Sequence, residues 1–103
     1  MGLGIELQDE FSGRIESIED HTNLLGDLLP SFGVTGAYPI LAGIDPHGDT
    51  VFNRLQIPRF LSEWVDVVSK ARTQKEQELV SEIERLACRC SAEVHTYLKF
   101  IGD

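Results

Sequence analysis

Residues 57–90 read IPRFLSEWVDVVSKARTQKEQELVSEIERLACRC, and the fold turns on this stretch. Pro58 stands where the first turn of a helix has no need of its missing N–H. Behind it Ile57, Phe60, Leu61, Trp64, Val65, Val68 and Ala71 recur at i, i+3, i+4, i+7, i+8, i+11 and i+14, an apolar stripe about four turns long. Asp66 and Lys70 form an i, i+4 pair on the wet side. Thr73-Gln74-Lys75-Glu76 is a capping box, with a hydroxyl and a carboxylate spaced to satisfy each other's backbone amides. It opens a second helix with Leu79, Ile83, Leu86 and Cys90 on one stripe and Val80 and Ala87 beside it. Only Arg72 and Thr73 need lie between the two helices, so they pack as an antiparallel α-hairpin.

Outward from the hairpin the period changes. On its C-terminal side, His95-Thr96-Tyr97-Leu98-Lys99-Phe100-Ile101-Gly102-Asp103 is rich in β-branched and aromatic residues, which predicts a strand that must pair to be ordered. On its N-terminal side, Ile40-Leu41-Ala42-Gly43-Ile44 is a short apolar run and Thr50-Val51-Phe52 is β-prone. Between them Asp45-Pro46-His47-Gly48-Asp49 has the chemistry of a type I turn, so a strand–turn–strand is expected here. Asp20 is a suitable cap for a short helix carrying Leu24, Leu25, Leu28 and Leu29, stopped by Pro30. Leu3, Ile5 and Leu7 alternate with polar residues as a strand with one buried face. Arg14–Ile18 is expected to return beside it as a hairpin. The sum is one α+β domain over residues 1–103: a small antiparallel or mixed sheet of about four to five short strands, with the C-terminal α-hairpin packed on one face.

Composition narrows the function. At 103 residues, 42% hydrophobic and 25% charged, the chain is ordinary for one globular domain. No apolar run is long enough to span a membrane, and the first residues lack a secretory signal, so a cytoplasmic protein is the default expectation. Cys88 and Cys90, two apart on a helix, point to different sides and are expected as reduced thiols. Cys88, Cys90 and His95 lack the spacing and the second pair of a zinc site. No metal, cofactor or catalytic residue is assigned; nucleophile elbow, phosphate loop and dinucleotide fingerprint motifs are missing.

Charge is more specific. Residues 1–50 hold nine acidic residues against Arg14 alone, whereas residues 51–103 hold eight of each sign, so the net −8 belongs to the first half. That balance argues against nucleic acid and for a neutral or basic partner. The leading expectation is a small, acidic, non-catalytic protein-binding domain. Glu16, Glu19, Asp20 and Asp27 would steer a basic protein partner, and an apolar centre would then dock. In size and charge this is similar to small immunity or antitoxin-type inhibitors, an analogy of class alone. The alternative is a small enzyme or a metal- or ligand-binding domain built on the turn, where Asp45 and Asp49 flank His47 as a candidate general base or ligand set. An ordinary polar turn would have the same residues. A homodimer through the α-hairpin is compatible with either reading.

Overall fold

The structure, a computed structural model, describes residues 2–34 and 36–102. Four strands, β1 (Gly4–Asp9), β2 (Arg14–Glu19), β3 (Asp49–Asn53) and β4 (Thr96–Ile101), make one antiparallel sheet in the order β2-β1-β4-β3. Helices α1 (Ile57–Lys70) and α2 (Gln74–Ala92) form the α-hairpin. They pack on the face of the sheet that carries Ile5, Leu7, Phe52, Leu98 and Phe100. Among the described residues no helix is long and apolar enough to cross a membrane.

The β1–β2 hairpin follows from its turn chemistry. One carboxylate oxygen of Asp9 accepts the amides of Phe11 and Gly13, closing the reversal that the alternating flanks require. A register shift between Leu7 and Gln8 leaves Ile15 without a partner and bulges β2. Beyond the bulge, Glu16 and Ile18 lie on the helix side of the strand.

The capping box of α2 is formed as its spacing requires: Glu76 N–H donates to the Thr73 hydroxyl at 3.1 Å, and Thr73 N–H donates to the Glu76 carboxylate at 3.0 Å. The Trp64 indole N–H donates to the Val80 carbonyl at 3.0 Å and ties the two helices together. Phe60 stacks on Trp64 with ring centroids 5.1 Å apart and also meets Phe52 and Phe100. Both aromatics of α1 are thus core residues.

Three expectations are corrected. On α1 the buried stripe is Ile57, Phe60, Glu63, Trp64 and Val67, while Val65 and Val68 are exposed. Apolar residues at 64, 65, 67 and 68 fit either of two neighbouring faces, and tertiary contacts choose between them. The run 40–44 is not a strand: Leu41–Gly43 is a 3-10 turn, and β3 pairs with β4 instead. The amides of Ile40 and Leu41 that a strand partner would have bonded are taken by the Glu63 carboxylate at 2.9–3.2 Å. Finally, the helix expected after Asp20 is a single 3-10 turn, Leu24–Asp27. Asn23 enters it at φ 56, and Gly26 and Pro30 leave too few good positions to propagate an α-helix.

Candidate functional site

The acidic residues of the first half are mostly engaged within the fold. Asp20 is buried, and its two carboxylate oxygens accept the amides of Leu24 and Leu25, each at 2.9 Å. It holds the 3-10 turn in place and presents nothing to a partner. Glu16 lies on the helix side of β2 and ion-pairs with Arg85 and Arg89 of α2. The Arg85 guanidinium, hydrogen-bonded to it, holds the Glu16 carboxyl below the usual carboxylate range, with Arg89 adding to the effect. The negative half of the sequence is therefore neutralised in part by the balanced half across the β2–α2 seam. Glu19 and Asp27 are exposed, and neither makes an ion pair among the described residues.

The turn is built as a turn. The Asp45 carboxylate accepts the His47 amide at 2.9 Å, the Thr50 hydroxyl accepts the Asp45 amide at 3.0 Å, and Asp49 lies 3.5 Å from the Lys99 ammonium. Gly102 N–H donates to the Gly48 carbonyl at 2.7 Å, so the end of β4 is stitched to this reversal. A Cβ at Gly102 would stand 2.5 Å from Gly48 backbone atoms. Asp45 and Asp49 thus have structural partners, and the His47 ring is left exposed at the rim of a cleft of about 360 Å³. Among the described residues no group of three His, Cys, Asp or Glu side chains comes together to hold a metal.

A second concavity, which motif reading missed, runs along the seam between β2 and α2. It has two adjoining sections of about 340 and 570 Å³ that share Leu24, Lys75 and Glu78. Half-buried Ile18, Leu24 and Leu79 line its floor, and Glu19, Glu78 and Glu82 stand along its rim with Lys75 and His21. One wall is an edge strand, because β2 pairs with β1 alone. The spacing of Leu79 and Ile18 on their elements was visible in the sequence, but the groove exists only because two segments some sixty residues apart are brought side by side. Among the described residues, Glu19 is the member of the expected steering set that both lines it and makes no ion pair or side-chain hydrogen bond.

Both thiols are free: Cys88 is exposed, while Cys90 is buried, its Sγ 3.6 Å from the Thr96 carbonyl. Burial pushes the Cys90 thiol up. No family model matches the chain, and neither a curated protein nor a solved structure matches it.

Proposed function

We propose that this is a non-catalytic protein-binding domain that takes a basic, extended segment of a partner protein into the β2–α2 groove. The observation that carries the reading is the groove itself: an apolar floor, a rim with Glu19 and Glu78 against Lys75 while Glu82 is held by Arg85, and an edge strand as one wall. An edge strand offers unpaired main-chain groups to an added strand, whose alternate side chains then enter the neighbouring groove. The net charge of −8 favours encounter with a basic partner and makes that encounter salt-sensitive. The size and charge suit a small inhibitor of the immunity or antitoxin type.

The test is capture of partners from the native host at about 50 mM salt, where charges act over more than 10 Å. Parent protein and a Glu19→Lys/Glu78→Lys variant are compared. Both positions are exposed, so the variant is expected to fold, which its circular dichroism spectrum checks. A specific basic protein retained by the parent and lost by the variant supports the reading. Recovery of no specific protein, or equal recovery by both, rejects it.

A second reading, self-association through α1, is favoured by exposed Val65 and Val68 on its outer side. Light scattering of the parent and a Val65→Glu variant distinguishes a dimer from a monomer.

A further inference from the structure

The cleft beside His47 has the features of a small-molecule site rather than of a packing defect. Its floor is made by Leu3, Leu25 and Ile44, all buried members of the core. Its lip carries Phe32, a large apolar side chain left 54% exposed. Asn23, Ser31 and His47 line the same space, and among the described residues none of these three side chains makes a hydrogen bond within the protein. An apolar floor with a few polar groups along it, at about 360 Å³, is the usual make-up of a ligand pocket of roughly 300 to 1,000 Å³.

Chemistry and charge narrow the ligand. An amide, a hydroxyl and an imidazole can together donate to and accept from one hydrogen-bonding edge. Asp27 follows the lining residue Gly26, and Asp45 sits between the lining residues Ile44 and Pro46. These carboxylates, in a protein of net charge −8, disfavour an anion. We infer that the cleft binds a small, planar ring compound that carries no negative charge and bears an amide- or amidine-like edge. The ring rests against Leu29, Pro30 and Pro46 beside Phe32, and the polar edge meets Asn23, Ser31 and His47. The inference is independent of the groove, since the two concavities share no lining residue.

Three probes of one shape and three charges test it: benzamide, benzoate and benzamidine, titrated into the protein while backbone amide resonances are followed by NMR. Benzamide is expected to shift the amides of Leu25, Gly26, Phe32, Ile44 and His47 saturably, with a dissociation constant in the low millimolar range usual for a fragment. Benzoate is expected to bind about tenfold more weakly, a difference of about 1.4 kcal/mol. Ser31→Trp, at an exposed position, fills the cleft and is expected to abolish the shifts, and His47→Ala to weaken binding about threefold. Failure of both benzamide and benzamidine to shift these amides saturably, undiminished binding in Ser31→Trp, or binding of benzoate as tight as that of benzamide overturns the inference. The groove variant Glu19→Lys/Glu78→Lys is expected to bind benzamide like the parent, which keeps failure of one site distinguishable from failure of the other.

Discussion

Replacing Glu63 by alanine takes away the acceptor for the amides of Ile40 and Leu41 and leaves them facing the side of α1. The carboxylate is 4% exposed and lies 2.9 Å from the Leu41 amide and 3.1–3.2 Å from that of Ile40. The Arg59 guanidinium closes the arrangement at 2.9 Å, but its own side chain is 58% exposed. An exposed partner of that kind is worth at most about 1 kcal/mol. Most of the effect comes from two amides hydrogen-bonded to a charged group, each worth about 1.5–3 kcal/mol. The sum for Glu63→Ala is about 3–6 kcal/mol, close to the roughly 3–5 kcal/mol found when one member of a buried charged arrangement is removed. That is a large share of the roughly 5–15 kcal/mol expected for such a domain, and it corresponds to a fall of roughly 12 °C or more in Tm. Glu63→Gln keeps one acceptor oxygen and presents an NH2 group where an acceptor is needed, so about 2 kcal/mol is expected. Arg59→Ala is expected to cost less than about 1 kcal/mol. Urea and thermal melts followed by circular dichroism measure all three. If Glu63→Ala lies within about 0.5 kcal/mol of the parent, where ordinary surface changes fall, the carboxylate does not anchor the segment before β3 and the reasoning is refuted.

Acid should weaken the β2–α2 seam in a defined direction. The Glu16 carboxyl is held down in the folded protein by Arg85 and then Arg89, so its contribution is complete above the unfolded value near about 4.3 and is lost as pH falls through the lower folded value. Stability measured by urea titration at a series of pH values should therefore decline below about pH 4, and Glu16→Gln should flatten that limb. Native protein treated with a thiol reagent should be labelled at exposed Cys88 and not at buried Cys90, as peptide mass mapping would reveal; equal labelling would contradict the burial. Asp20→Ala should cost about 2–4 kcal/mol through the two orphaned amides of Leu24 and Leu25, and faster exchange of those two amide protons by NMR would locate the damage.

The parts of the fold written in local chemistry were readable. Pro58, the Thr73–Glu76 box and the 3.6-residue repeat set the α-hairpin without reference to anything distant, and the alternation around Leu3–Leu7 and Leu98–Phe100 set two strands. What could not be read was settled by partners far along the chain. The phase of α1 depends on Glu63, which faces inward because the amides of residues 40 and 41 need an acceptor, and no period within the helix announces that. The apolar run 40–44 resembles a strand until β4 takes β3 as its neighbour. The candidate site followed the same rule. Counting charges located the acidity before Thr50, but whether a carboxylate is available depends on its neighbours. Asp20 caps a turn, Glu16 meets two arginines, Asp45 shapes its own reversal, and Glu19 alone of that set stands unengaged at the groove.

The strand order β2-β1-β4-β3 places the segment Thr96–Ile101 between partners that leave the ribosome well before it. During synthesis the β1–β2 hairpin and the α-hairpin can form from local contacts, but the sheet cannot be joined, since Gly4 must meet Ile101 across nearly all the residues between them. Such long-range closure slows folding and leaves the apolar faces of Ile5, Leu7 and Phe52 uncovered in the interim. In a nascent copy those faces therefore stay uncovered until residues Thr96–Ile101 have been made.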